Sequence, residues 1–193
     1  KRHAMPWLAQ RDAGLRVLVN VVGNSVEEFT TVVSTLAADP AAHAFELNVS
    51  CPNVKSGGLE FGADPSALAA LVAAVRASTA RPIFVKLSPT LGAGIVDAAR
   101  VAVDNGADGL TLINTMPGLV VDTARRRPRI GFGTGGVSGP ALLPMGVLAT
   151  WRVSRALPNT PIIGLGGVST STDAVQYLMA GASLVGVGTA ALR

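Results

Sequence analysis

The one cysteine of this chain stands in the segment that best combines groups capable of chemistry. Cys51 follows an apolar run, with Asn48 before it and Asn53 after it. A single thiol cannot form an internal disulfide or supply a cysteine-rich metal site. Cys51 is therefore either a buried filler or a reactive group. Its position on a loop that follows a strand-like run, with amide side chains beside it, favours the reactive role.

Polar side chains recur near the ends of other apolar runs. Asn20 and Lys86 interrupt two such runs, and Asn114 and Thr115 follow a third. Each has a simpler explanation, because an asparagine can be a satisfied core amide and a lysine can extend its ammonium to solvent. Their recurrence, together with Asn48, favours a shared polar site in which Lys86 stabilises an anionic cofactor or substrate.

Two glycine-rich segments follow the last two apolar runs. They are Gly164–Gly167 and Gly186–Thr189. Backbone N–H groups without an adjacent Cβ can converge on a phosphate. Tight turns alone would use the same residues, but two such segments after consecutive strands favour a phosphate site.

Six strands are predicted, each nearly continuously apolar, as is typical of parallel strands buried on both faces. They are Arg16–Val22, Phe45–Val49, Pro82–Leu87, Gly109–Ile113, Pro161–Leu165 and Leu184–Val187. Helix starts lie between them: Ser25 with Glu28 forms a capping box, and Asp64 precedes Pro65. Further helices are predicted over Leu91–Asn105, from Gly139-Pro140 to about Leu157, and from Ser171 or Thr172 to just before Gly181.

Alternating strands and helices define an α/β architecture, of which two forms compete. A doubly wound sheet would carry a glycine-rich dinucleotide fingerprint after its first strand, and residues 22–25 do not match one. A (β/α)₈ TIM barrel places phosphate loops after its last strands and site residues at strand carboxyl ends. The barrel is therefore predicted, as one domain over residues 1–193. It is expected to be incomplete, lacking the first two strands and the closing helix, and residue 1 is not expected to be the natural start.

Two of the strand-to-helix connections are long. Cys51–Ala63 carries the thiol and three glycines, and Met116–Ser138 is longer still. Loops of this length are usually lids or binding loops. Both are therefore expected to cover a site at the carboxyl edge of the sheet.

The composition excludes several classes of protein. The chain is 49% hydrophobic and 15% charged, with a net charge of +4 and no basic stripe interleaved with aromatic residues, so nucleic-acid binding is not expected. One arginine cluster, Arg125, Arg126, Arg127 and Arg129, is either a solvated loop or a contact for an acidic partner or substrate. The sequence shows neither a signal peptide nor a membrane span, and a soluble cytoplasmic protein is predicted.

Taken in order along the whole chain, these elements resemble the class 1 dihydroorotate dehydrogenases, particularly the catalytic subunit of the NAD-linked 1B type. The most specific match is the Asn48…Cys51…Asn53 element. The matching segments are Glu46–Gly58, Phe84–Pro89, Ala107–Thr115, Gly135–Pro140, Ile162–Gly167 and Ala180–Ala190.

The resemblance implies an enzyme that oxidises (S)-dihydroorotate to orotate in de novo pyrimidine biosynthesis, with FMN at the strand carboxyl ends. Cys51 would be the catalytic base, and Asn48, Asn114 and Thr115 would hold the substrate. The expected FMN contacts are Asn20, Asn48, Lys86, Ile113, Gly139, Gly166, Gly167, Gly188 and Thr189. The family's substrate lysine would lie upstream of residue 1, so the activity of this isolated chain is left open.

Two alternatives and a partner accompany this interpretation. One alternative is a flavin barrel of the dihydropyrimidine dehydrogenase type, and the other is a truncated barrel that binds flavin or a partner without turnover. The 1B resemblance implies a partner, an electron-transfer subunit with FAD and an iron–sulfur cluster. One cysteine cannot hold such a cluster, so any cluster must lie elsewhere than in this chain. An oligomer is expected, and the electron acceptor, NAD or fumarate, is left open.

Overall fold

The computed structural model describes residues 4–10, 14–50, 52–53 and 59–192. Its strands are β1 Leu18–Val21, β2 Ala44–Asn48, β3 Pro52–Asn53, β4 Leu59–Glu60, β5 Ile83–Leu87, β6 Gly109–Leu112, β7 Met116–Gly118, β8 Val121–Asp122, β9 Arg127–Pro128, β10 Gly135–Val137, β11 Ile162–Leu165 and β12 Leu184–Gly186. Its α-helices are α1 Ala4–Ala9, α2 Val26–Ala37, α3 Pro65–Ser78, α4 Ile95–Asp104, α5 Leu143–Ala156 and α6 Ser171–Met179.

The architecture is that of an incomplete α/β barrel, as predicted. Six strands form one parallel sheet in the order β1-β2-β5-β6-β11-β12, which is also their order along the chain. A doubly wound sheet would reverse direction at a switch point, and this order does not. All six predicted strands are confirmed, each end within two residues of its predicted place.

Helices α2 to α6 lie between consecutive main-sheet strands and cover one face of the sheet. Phe45 and Leu47 of β2 and Val85 of β5 are fully buried in that core, where Phe29 of α2 and Leu71 of α3 pack beside them. Because side chains alternate along a strand, Glu46, Asn48 and Lys86 lie on the opposite face. The inner face of the curved sheet is therefore the polar one.

Side chains that accept hydrogen bonds from backbone N–H groups mark the starts of several helices. The Ser25 side chain accepts a hydrogen bond from the Glu28 N–H, and Asp64 caps α3 by accepting from Ser66 and Ala67. The capping box predicted at Ser25 is incomplete, because the Glu28 carboxylate accepts from the Asn24 N–H. A reciprocal capping box occurs instead at Thr170, which caps α6 one residue before the predicted opening.

Two predicted helix boundaries are corrected, and one helix was missed. The segment expected to be helical from Leu91 begins as 3₁₀ turns over Pro89–Gly94, and the α-helix starts at Ile95, because Gly92 adopts a φ of +53°. The helix opened by Gly139-Pro140 likewise starts with a 3₁₀ turn over Pro140–Leu142. Helix α1 was not predicted, because Pro6 reads as a breaker, although proline is tolerated in a first turn.

Both long connections contain short antiparallel pairs. Strand β3 pairs with β4, while β7 pairs with β10 and β8 pairs with β9. The arginines of the predicted cluster are exposed on the β8–β9 hairpin and just beyond it. Within the described ranges, no helix has the length and apolar character that a membrane crossing requires.

Candidate active site at the carboxyl edge of the sheet

A cleft of about 190 Å³ opens where β5, β6, β11 and β12 end. Nine residues singled out from the sequence line it: Lys86, Ile113, Asn114, Thr115, Gly139, Gly166, Gly167, Gly188 and Thr189. They come from four strand ends and from the segment that leads into α5. The parallel order of the strands brings these distant segments to one edge.

Glycines form one wall of this cleft because the backbone at most of them adopts a positive φ value or leaves no room for a Cβ. Gly166 and Gly167 have φ values of +122° and +77°, and Gly139 has a φ of +92°, a region that favours glycine. A Cβ on Gly167 would lie 2.5 Å from the Leu143 nitrogen at the start of α5. Cβ atoms on Gly139 or Gly188 would meet nothing within 4 Å, so they would project into open space at the cleft. The wall has the form of a cradle for an anionic group.

A buried tyrosine supports that cradle from behind. The Tyr177 hydroxyl donates a 2.8 Å hydrogen bond to the Gly166 carbonyl, and the side chain is wholly buried. Its ring and hydroxyl fit because Gly164 and Gly146 lack a Cβ, which would lie 2.3 Å and 1.9 Å from Tyr177 atoms. Burial raises the pKa of the Tyr177 phenol well above its ordinary value, which keeps it a hydrogen-bond donor.

The end of β6 is fixed between its neighbours by backbone hydrogen bonds. The Ile113 N–H donates to the Leu165 carbonyl on β11 at 2.8 Å, and the Asn114 N–H donates to the Leu87 carbonyl on β5 at 2.9 Å. The Asn114 side chain accepts from the Thr115 N–H at 2.8 Å. The side chains of this segment are therefore held in place on the floor of the cleft.

A second cleft of about 330 Å³ adjoins the first and shares Asn114 and Thr115 with it. Its other lining residues are Asn48, Ser50, Glu60, Pro117, Thr134, Gly135 and Gly136. Asn114 Nδ2 donates to Asn48 Oδ1 at 2.9 Å, and the same oxygen accepts from the Ser50 N–H at 3.3 Å. The two amides predicted to bind substrate therefore meet at the boundary of the two clefts.

Asn20 joins this group through a residue that was not predicted. Its Nδ2 donates to Glu46 Oε1, and the same carboxylate oxygen lies 3.5 Å from Lys86 Nζ. Glu46 is 7% exposed. Because β1 and β2 pair Asn20 with Glu46, register alone brings these two side chains together. The three residues form a polar cluster that reaches the first cleft through Lys86.

Cys51 lies outside the described residues, so its predicted role as a base stays a prediction. The chain reaches it from Asn48 and Ser50, which both line the second cleft.

Sequence reasoning missed several residues at the site. Glu46 is a charge within an apolar strand, which is the same signal that identified Lys86. Ser138 and Ser169 line the first cleft, and Ser138 Oγ accepts from Thr189 Oγ1 at 3.0 Å. No pattern distinguished these serines from ordinary loop residues. Tyr177, the single tyrosine, gave no signal because it lies within an ordinary helical run.

The fold and the site define a β/α-barrel protein with a ligand cleft at the strand carboxyl ends. Residues 2–193 match the family model described as dihydroorotate dehydrogenase. The chain belongs to the dihydroorotate dehydrogenase family.

Curated relatives and a solved structure agree with this assignment. The catalytic subunit of dihydroorotate dehydrogenase B (NAD(+)) from Cutibacterium acnes is 47% identical over 96% of this chain and 60% of its own length. The corresponding subunit from Geotalea uraniireducens is 45% identical, with the same coverage of both chains. The crystal structure of DHODH in complex with ferulenol from Eimeria tenella superposes with a TM-score of 0.76 at 25% identity, covering 96% of this chain and 55% of that one. The chain thus spans about 60% of the length of the curated relatives it matches.

Proposed function

We propose that this chain forms the catalytic barrel of an FMN-dependent enzyme that oxidises (S)-dihydroorotate to orotate. The observation that carries the proposal is the pair of clefts joined at Asn114 and Thr115. One cleft has a glycine cradle and a lysine, and the other has paired amides. A flavin and a heterocyclic substrate would be neighbours in this arrangement, as hydride transfer requires.

The residues of the first cleft fit FMN. Gly166, Gly167, Gly188 and Thr189 would surround the phosphate, because a Cβ at Gly188 would project into open space and the backbone at Gly166 and Gly167 takes positive φ values that suit glycine. Lys86 and Ile113 would lie along the ring system, and Asn20 would reach it from β1. When bound, FMN supplies the acceptor for the hydride that leaves C6 of the substrate. The Lys86 ammonium would stabilise the negative charge that accumulates at the N1/O2 edge of the flavin.

The amides of the second cleft would orient the substrate. Asn48 Oδ1 already accepts hydrogen bonds from Asn114 Nδ2 and the Ser50 N–H, which fixes the direction of both side-chain amides. Asn48 then presents its amide nitrogen as a donor to a ligand carbonyl. Thr115 adds a hydroxyl at the same boundary. The donor pattern suits the amide and carbonyl edges of a pyrimidine ring.

The proton at C5 requires a base, and Cys51 is proposed for that role. A thiol has a pKa of about 8.5, so it needs a partly positive setting to act at neutral pH. Cys51→Ala should retain bound FMN and lose most turnover at neutral pH. Cys51→Ser should keep some activity that rises with pH, because a hydroxyl is a weaker base. Unchanged turnover in Cys51→Ala would remove the thiol from the mechanism.

An electron-transfer partner is proposed on the names of the relatives, which are catalytic subunits of an NAD(+)-linked enzyme. Such a partner, carrying FAD and an iron–sulfur cluster, would pass electrons from this barrel to NAD. The single cysteine here cannot ligate a cluster, which needs several thiolates. Addition of the partner should make dihydroorotate-dependent NAD reduction possible, whereas fumarate reduction by the catalytic chain alone would contradict the NAD-linked proposal.

Visible absorbance distinguishes this function from its alternatives. The purified protein should show a flavin band that bleaches on addition of dihydroorotate under anaerobic conditions. A band that does not bleach would mean flavin binding without this chemistry, and bleaching by dihydrouracil instead would favour a dihydropyrimidine dehydrogenase type. Colourless protein that does not take up added FMN would overturn the proposal.

A further inference from the structure

Glu46 is a buried carboxylate that the proposed reaction leaves without a role. It lies in the middle of β2, between Phe45 and Leu47, which point into the fully buried core. Its own side chain faces the inner surface of the sheet and is 10% exposed. A carboxylate this far from water is costly unless it is paired, so its partners indicate what it does.

Both described partners of Glu46 are residues expected to contact the flavin. Asn20 Nδ2 donates to Oε1 from the β1 side, and Lys86 Nζ lies 3.5 Å from the same oxygen on the β5 side. The Lys86 side chain is 16% exposed and also lines the first cleft. Glu46 therefore connects the floor of the sheet with the one cationic side chain among the described lining residues of that cleft.

The pairing changes the charge that the cleft presents. An unpaired ammonium would act with its full charge on a ligand in the cleft, and the low dielectric constant of a buried site would strengthen that action. A carboxylate 3.5 Å away offsets a large part of it. The contact also restricts the long lysine side chain to one direction.

We infer that Glu46 is a positioning residue that sets the effective charge of Lys86, and through it the reduction potential of the bound flavin. The inference rests on the proposed function, in which FMN occupies the first cleft beside Lys86. Reduction adds negative charge to the flavin, and an uncompensated lysine would stabilise that charge strongly. A flavin that must also pass electrons to a further carrier has to be reoxidised easily, so its reduced form should be stabilised less strongly. Glu46 weakens this stabilisation by neutralising part of the charge of Lys86.

The test is the midpoint potential of the FMN-loaded protein, measured by equilibration with redox dyes of known potential. Glu46→Gln keeps the shape and the acceptor for Asn20 but removes the negative charge. It should favour reduced flavin by at least tenfold, which is a rise of about 30 mV for a two-electron couple. The matched control is Asp104→Asn, because Asp104 is exposed at the end of α4 and far from the cleft in the fold. The control should leave the potential unchanged.

Two further variants separate a charge effect from general disruption. Lys86→Met should shift the potential in the opposite direction, and Glu46→Gln in that background should cause a smaller rise than it does alone. Glu46→Asp, which shortens the carboxylate arm, should raise the potential less than Glu46→Gln and serves if the glutamine variant does not fold.

An unchanged or lowered potential in Glu46→Gln, or an equal rise in Asp104→Asn, would overturn the inference while FMN binding and substrate bleaching still support the proposed function. If the wild-type protein binds no FMN, the proposed function itself fails, and the role of Glu46 fails with it.

Discussion

Asn114 Nδ2 lies 2.9 Å from Asn48 Oδ1, and this hydrogen bond passes over a whole strand. Asn48 ends β2 and Asn114 follows β6, while β5 lies between them in the sheet. Two amides can meet across that distance because the inner face of the sheet is concave at its carboxyl edge. The bond fixes which end of each amide faces the second cleft.

Replacing one partner of this bond should impair ligand binding more than folding. Asn114→Asp places a carboxylate opposite the Asn48 oxygen and removes the donor. We expect the affinity for orotate to fall about tenfold, since an unmatched polar group that the ligand shields from water costs ~1–3 kcal/mol. Titration of orotate against the absorbance of the bound flavin measures it. Asn159→Asp, on an exposed turn before β11, is the control and should bind orotate as the wild type does.

Tyr177→Phe should weaken the binding of FMN but not of riboflavin. The substitution removes the donor to the Gly166 carbonyl and leaves the ring in place. If Tyr177 holds the glycine cradle in the geometry that binds phosphate, the loss of about 1 kcal/mol corresponds to roughly a fivefold weaker FMN affinity. Riboflavin lacks the phosphate and is the internal control. Equal weakening of both ligands would show that Tyr177 acts on packing alone.

The free energy of unfolding should fall at alkaline pH because Tyr177 is buried in its neutral form. Burial raises the pKa of Tyr177 above that of an unfolded tyrosine, which is about 10. The neutral phenol therefore stabilises the fold fully below about pH 10, and this contribution is lost as the pH rises further. The free energy of unfolding should fall more steeply above pH 10 in the wild type than in Tyr177→Phe. Because the chain has one tyrosine, tyrosinate absorbance reports on it directly, and ionisation of the folded protein near pH 10 would contradict the prediction.

The strands could be predicted because each one carries its own signal. A run such as Ile83–Leu87, apolar apart from Lys86, indicates a buried strand whatever surrounds it, and Asp64 before Pro65 marks a helix start through local hydrogen bonds alone. The glycine cradle was likewise visible, since Gly166 and Gly167 are required by the backbone itself. These features depend on neighbours in sequence.

The features that were missed depend on neighbours in space. Strands β7 and β10 contain proline and several glycines, so no propensity indicates a sheet. They pair because Gly118 lets Val137 approach, where a Cβ would lie 2.5 Å from its Cγ2 atom. Glu46 was overlooked because its importance comes from the register that brings Asn20 and Lys86 to it. The roles of the site residues stay predictions.

The contact between α2 and the loop before α3 should be a major source of stability. Phe29 is fully buried and stacks edge-on against Phe61, with ring centroids 5.8 Å apart. Phe29→Ala should lower the free energy of unfolding by about 3–5 kcal/mol. Phe132 is fully exposed, so Phe132→Ala should change it by no more than about 0.5 kcal/mol. Urea unfolding of the two variants measures both, and equal effects would contradict the packing described here.

The glycine cradle can be tested by comparing two glycines, Gly167 and Gly133, that share a positive φ but differ in the space around them. Gly167 and Gly133 have similar φ values, +77° and +84°, so alanine at either should cost about 1–2 kcal/mol in backbone strain. The surroundings differ, because a Cβ at Gly167 would lie 2.5 Å from the backbone of Leu143, whereas one at Gly133 would meet nothing within 4 Å.

Gly167→Ala must therefore displace either its own loop or the start of α5, and both carry residues of the first cleft. We expect FMN affinity, measured by equilibrium titration of the apoprotein, to fall more than tenfold in Gly167→Ala and to stay unchanged in Gly133→Ala. If both variants lose stability but only Gly167→Ala loses FMN affinity, backbone strain alone does not account for the loss of the cofactor. Wild-type FMN affinity in Gly167→Ala would mean that the phosphate is held elsewhere, because a distorted cradle cannot keep its N–H groups directed at one anion.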